Sequence, residues 1–209
     1  MKKQLVTIVT LAVLAVISVG VTGCGTNDDG EKSDPKANSA TTTDAKPKIV
    51  LAQGRMTVDG KLAPLPGAVA EWETVLGPTS RREALAASEK EPAVNVYIWD
   101  EHGIVAVERP DLAQITKVTL AIEPPAESSA SDGAAEHVPT KRFPGSLTID
   151  GVRVNVASTP QKLNTELGGL QFTQLKKFPH SWNLAYGAWT ITAITDVKGE
   201  RLLEVAIGE

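Results

Sequence analysis

Met56-Thr57-Val58-Asp59-Gly60 and Leu147-Thr148-Ile149-Asp150-Gly151 are the two stretches around which this chain is organised. Each alternates apolar and polar residues and then presents an Asp-Gly pair. That pattern is a strong short-range signal for a tight β-hairpin, because both turn positions need positive φ. Asp59 and Asp150 are therefore read as turn formers rather than as catalytic carboxylates. Other features recur in the same order. Leu76-Gly77 is matched by Leu167-Gly168, and Gly103-Ile104-Val105-Ala106-Val107 by Gly187-Ala188-Trp189-Thr190-Ile191. Each half closes on a strand-like run, 118–122 and 203–207. Matching features in a fixed order are the mark of an internal repeat.

Between hairpin and closing strand, each half carries a helix. Val69, Trp72, Val75 and Leu76 fall on one helical face, with Gly77 as cap and Pro78 as stop. In the second half Ser158 or Thr159 caps the start, Pro160 sits in the first turn, and Leu163 and Leu167 share a face. An antiparallel meander follows each helix, over 94–99, 104–108 and 115–122, then over 182–186, 188–195 and 202–207. Residues 82–91 hold good helix formers but stand where the repeat calls for a strand. The expected class is α+β: two repeats packed together or sharing one sheet, each an Asp-Gly hairpin, one helix and a β-meander.

The first residues read as an export signal. Lys2 and Lys3 precede an uncharged, mostly aliphatic run over 5–19, and Gly20, Thr22 and Gly23 lead to the only cysteine, Cys24. Val21-Thr22-Gly23-Cys24 resembles a lipobox, the processing site of bacterial lipoproteins. The resemblance implies cleavage before Cys24 and a covalent lipid on that residue. Gly25, where aspartate would favour inner-membrane retention, implies an outer-membrane address facing the periplasm if the cell has two membranes. An uncleaved single-pass anchor is the plainer alternative. Residues 25–48 lack aromatic, Leu, Ile, Val and Met side chains and so cannot offset their ordering entropy, which predicts a disordered tether holding the body away from the lipid. The expected organisation is 1–23 signal, 24–48 lipidated cysteine and tether, 49–122 first repeat, 123–142 surface linker and 143–209 second repeat.

A helix ending in Leu-Gly-Pro before a β-meander, as at 72–78, with its proline-free counterpart at 163–169, resembles the β-lactamase-inhibitor-protein and outer-membrane assembly-lipoprotein group. That group implies a binding module rather than an enzyme, although the Asp-Gly hairpin before each helix departs from its pattern. The whole chain is also similar to uncharacterised bacterial lipoproteins with a duplicated module, which implies no activity.

Composition and motifs exclude more than they assign. One cysteine rules out an intramolecular disulfide framework and a multi-cysteine zinc site. A net charge of -4 lacks the positive footprint of a nucleic-acid binder. No nucleophile elbow, phosphate loop, dinucleotide fingerprint or His-Glu-x-x-His occurs. No catalytic residue, metal ligand or cofactor is expected beyond the lipid on Cys24. Asp100-Glu101-His102, the densest polar cluster, reads as a turn ahead of Gly103 rather than a metal site. His137 falls in the linker and His180 in a loop.

By the period-two rule Tyr97 and Trp99 share one strand face, and Trp182 and Tyr186 another. They belong either to the core or to a partly exposed platform for a partner, since Tyr and Trp are frequent interface anchors. The functional expectation is a membrane-anchored envelope lipoprotein that binds another envelope protein without catalysis. An immunity-type inhibitor is one form of it. The alternative is an envelope hydrolase acting on cell-wall or carbohydrate material.

Overall fold

A computed structural model describes residues 46–88, 92–123 and 138–209. The signal run, Cys24, nearly all of the tether, most of the linker and His137 lie outside the described residues.

The chain enters on β1 (Lys48–Ala52), β2 (Arg55–Val58) and β3 (Lys61–Leu62). It continues through α1 (Val69–Leu76), β4 (Arg81–Leu85), β5 (Val94–Trp99), a 3-10 turn (Asp100–His102), β6 (Ile104–Arg109) and β7 (Gln114–Ala121). Then follow β8 (Ser146–Ile149), β9 (Val152–Val154), α2 (Pro160–Glu166), β10 (Thr173–Leu175), β11 (Phe178–Tyr186), β12 (Trp189–Thr195) and β13 (Leu202–Gly208). The strands form a five-stranded sheet ordered β3-β2-β1-β8-β9 and an eight-stranded sheet ordered β10-β11-β12-β13-β7-β6-β5-β4.

This architecture overturns the α+β expectation of two duplicated helix-bearing repeats. Among the described residues strands hold 48% and helix, the 3-10 turn included, 12%, and the two α-helices have 8 and 7 residues, so the class is mainly β. The physical reason lies in how the halves meet. β1 pairs in parallel with β8, and β7 pairs antiparallel with β13, so strands from both halves merge into two common sheets. Each helix is left as a two-turn plug on the core rather than a layer. Residues 81–85, rich in helix formers, become edge strand β4 because β5 offers hydrogen-bond partners along its length.

The Asp-Gly pairs occupy tight turns, with φ of 52° and 78° at Asp59 and Gly60 and of 44° and 86° at Asp150 and Gly151. Asp59 also ties its turn to β1: its Oδ1 accepts the Lys48 N–H at 2.8 Å and its own N–H donates to the Lys48 carbonyl at 2.9 Å.

One main core joins both sheets and both helices. Ile49, Leu51, Trp72, Trp99, Leu120, Leu163 and Ile191 are among its buried members. Three indole N–H groups donate to carbonyls on either side of α1: Trp72 to Pro64 at 3.0 Å, Trp189 to Leu65 at 2.7 Å and Trp99 to Gly77 at 2.8 Å. Buried indole donors need partners. Here those partners fix the crossing from the small sheet to the large one.

Candidate binding face

The eight-stranded sheet has two unlike faces. Its inner face meets the small sheet and both helices in the main core. Its outer face carries a second, separate cluster, Val94, Val96, Ile98 and Val105 with Leu85 and Val107 against it, to which no described helix contributes. Strand pairing lays out the rest of that face. Thr119 stands opposite Val105 and Ala206, and Thr192 opposite Ala206 and Asn183. The Thr192 hydroxyl donates to Asn183 Oδ1 at 3.0 Å. The face therefore runs from a valine flank to a hydroxyl-and-amide flank.

Its midline carries two charges. Lys117 lies opposite Gly208 on β13, and Glu204 lies opposite Ala121 on β7, so the two sit on adjacent strands but offset along them. Desolvation in the middle of the sheet lowers the Lys117 pKa and raises that of Glu204, and each charge partly offsets the other's shift. Gly208 has no side chain to shade Lys117, and a Cβ there would lie 2.8 Å from the Thr116 carbonyl oxygen. Lys117 is exposed as a whole residue, among neighbours on the face that are half-buried or, in the valine cluster, buried.

The four aromatic positions lie elsewhere. Tyr97, Trp99 and Tyr186 are buried members of the main core, and Trp182 packs against it half-buried. The shared strand faces are those turned toward the small sheet and the helices, so Tyr97, Trp99 and Tyr186 take the core alternative and Trp182 stays partly exposed. Tyr186 stacks on Trp189, ring centroids 6.4 Å apart.

Tyr97 belongs to a buried polar group that sequence reading missed. Its hydroxyl donates to Glu108 Oε2 at 3.0 Å, Asn95 Nδ2 donates to the same oxygen at 2.6 Å, and the Arg82 guanidinium lies 4.9 Å above the ring. Burial, then the Glu108 hydrogen bond and charge, raise the Tyr97 pKa. In the β11–β12 hairpin the pair at the same distance from the turn is Trp182 and Ala193. The polar group is thus particular to one hairpin. Its signal was available: Glu108 continues the inward parity of Ile104 and Ala106.

Asp100-Glu101-His102 forms the 3-10 turn, closed by Gly103 in the left-handed region. Asp100 accepts Arg81 Nε at 2.9 Å and Nη2 at 3.1 Å, and the Thr140 N–H and hydroxyl at 2.8 and 3.1 Å. Led by the Arg81 hydrogen bond, these lower its pKa to about 2. His102 Nε2 lies 3.0 Å from the Leu76 carbonyl oxygen, and Lys141 pairs with Glu101 at 2.5 Å. Among the described residues, no group of three His, Cys, Asp or Glu is placed to hold a metal ion. No described helix is long and apolar enough to cross a membrane.

The fold and this surface define a two-sheet, mainly β domain whose large sheet carries a second, buried apolar cluster on its outer face. Residues 48–164 match the family described as Domain of unknown function (DUF7738), and the chain belongs to that family. No curated protein matches the chain. A solved structure of an extracellular protein containing a SCP domain, from Bacillus anthracis str. Ames, is similar over 69% of this chain at 8% identity and a TM-score of 0.33. The similarity spans 44% of that protein's chain, and no functional argument rests on it.

Proposed function

We propose that this chain is a bacterial envelope lipoprotein anchored through a covalent lipid on Cys24, and that its body is a non-enzymatic binding module. The outer face of the eight-stranded sheet holds the protein partner. One observation supports this above others: Lys117 is exposed on this face with Glu204 displaced along the neighbouring strand, beside a buried apolar cluster that is separate from the core. Charges placed on a contact face steer a partner and fix its register. The hydrolase alternative is weaker on this face. Its two carboxylates, Glu83 and Glu204, stand four strand spacings apart, roughly 19 Å at about 4.8 Å each, whereas paired glycosidase carboxyls lie about 5–9.5 Å apart.

The test is crosslinking in cells expressing the full chain, followed by mass spectrometry, with wild type beside Lys117→Glu and Thr192→Arg. The expected result is one dominant protein captured by wild type and lost in both variants, whose melting temperatures stay unchanged. Equal capture by all three would move the partner off this face. No enriched protein would end the binding-module reading.

A further inference from the structure

Three of the exposed large apolar side chains gather at one end of the molecule. Phe178, 40% exposed, begins β11 directly after the Lys176-Lys177 turn, and Val197, 81% exposed, tops the turn between β12 and β13. Ser181 pairs with Ile194, and the Thr195 hydroxyl donates to the His180 carbonyl at 3.4 Å. The start of β11 therefore runs alongside the 196–201 turn, and Phe178 and Val197 project from neighbouring tips. Val156, 37% exposed, joins them, because its carbonyl accepts the Leu202 N–H at 2.8 Å at the base of that turn.

The charge at these tips is positive in a chain that is acidic overall at -4. Lys176, Lys177 and Lys198 are exposed, and among the described residues none is held in an ion pair. The second turn holds two acids: Asp196 is directed back onto it, its Oδ1 accepting the N–H groups of Glu200 at 2.8 Å and Arg201 at 3.2 Å, and Glu200 is exposed, so the two tips set Lys176, Lys177, Lys198 and Arg201 against two carboxylates.

The polypeptide also enters the body here. β1 begins beside β8, with Lys48 opposite Ser146 and the Ser146 N–H on the Pro47 carbonyl at 3.1 Å. Leu147 pairs with Val154, two residues before Val156. The chain arriving from Cys24 thus joins the body next to the apolar tips.

We propose that this end is a second membrane contact, docking the body onto an anionic lipid surface. Lysine ammonium groups meet the headgroups while Phe178, Val197 and Val156 enter the interfacial layer, the pattern by which peripheral surfaces combine apolar area with cations. The acidic remainder of the body is repelled, which orients it end-on. This rests on the reading of Cys24 as the lipid anchor, and it replaces the expectation of a body held clear of the bilayer.

The full-length lipidated protein in vesicles tests it. An acylated Cys24 leaves no free thiol, so Val197→Cys introduces a single site for an environment-sensitive fluorophore, and Leu112→Cys does so on the β6–β7 turn at the opposite end. With phosphatidylglycerol–phosphatidylcholine vesicles carrying doxyl-labelled lipid, the expected result is strong quenching at 197 and none at 112. Quenching at 197 should fall at least threefold in phosphatidylcholine alone, and equally in Lys176→Glu/Lys177→Glu. Equal quenching at both ends, none at 197, or no dependence on anionic lipid and lysines would overturn the proposal. So would in-cell crosslinking of position 197 to a protein without quenching in vesicles. Labelling of the unsubstituted chain would instead reveal a free Cys24 thiol, a failure of the anchor reading that is separate from a failure of docking.

Discussion

The Tyr186 hydroxyl donates a 2.6 Å hydrogen bond to Asp150 Oδ1 and so fastens the tip of the β11–β12 hairpin to the Asp-Gly turn between β8 and β9. The two residues belong to different sheets. The carboxylate that shapes one hairpin turn therefore also registers the sheets against each other.

That contact predicts an alkaline transition. Burial first, and then the Asp150 hydrogen bond and charge, push the Tyr186 pKa to about 12. Because the folded value is raised, the stability it brings is complete below pH 10 and is lost as pH rises through about 12. Absorbance at 295 nm should show a tyrosinate transition near pH 12 that vanishes in Tyr186→Phe. That variant should be less stable by about 1 kcal/mol at neutral pH. Full ionisation near pH 10 would show that the hydroxyl is not engaged.

Asp100 predicts the opposite dependence. Its pKa falls from 3.8 to about 2, so its contribution is present above pH 3.8 and is lost as pH drops through about 2. Asp100→Asn should destabilise by roughly 2 kcal/mol at pH 7. In urea melts the gap from wild type should narrow between pH 4 and 2. A gap constant with pH would remove the Arg81 pairing as its cause.

The buried aromatics predict graded losses of stability. Trp99→Ala removes a fully buried indole and its bond to Gly77, with an expected cost of about 3–5 kcal/mol. Trp182→Ala, at a half-buried position, should cost less than half of that. Calorimetry orders the two, and a Trp99→Ala protein with wild-type stability would return Trp99 to the surface.

Gly103 predicts a backbone effect. Its φ of 59° is left-handed, and an added Cβ would overlap the Phe143 amide. The Phe143 N–H donates to the Ala121 carbonyl at 2.6 Å there, so the neighbour has no room to yield. Gly103→Ala should cost about 2–4 kcal/mol. Gly199→Ala, with φ of 72° and open space, should cost about 1 kcal/mol. Equal costs at the two positions would show that strain alone, not the close approach, sets the penalty at Gly103.

How much was legible depended on the range of the interaction. Asp59-Gly60 and Asp150-Gly151 are local: a two-residue turn with positive φ suits Asp-Gly, and alternation places Met56, Val58, Leu147 and Ile149 on one side. Strand parity was equally local, so Tyr97 with Trp99 and Trp182 with Tyr186 could be paired on common faces. The side that would be buried could not be read, because the small sheet that covers those faces is built from residues in both halves. Strands β1 and β10 went unread for a related reason, since 48–52 and 173–175 are short runs that become strands through partners supplied elsewhere. The outer-face charges were invisible for the same cause. Lys117 and Glu204 are unremarkable in their own strands and come onto one face of adjacent strands only when β7 aligns with β13.

The amino-acid sequence by itself determined the turns, the strand periodicity and the lipobox-like run at Cys24, since each depends on residues within a few positions of one another. Only the tertiary structure decided the mainly β class, the burial of the aromatics, the charges on the outer sheet face and the basic apolar tips. Each of these requires strands far apart in the chain to pair, and pairing energy between distant segments leaves no periodic trace in either one alone.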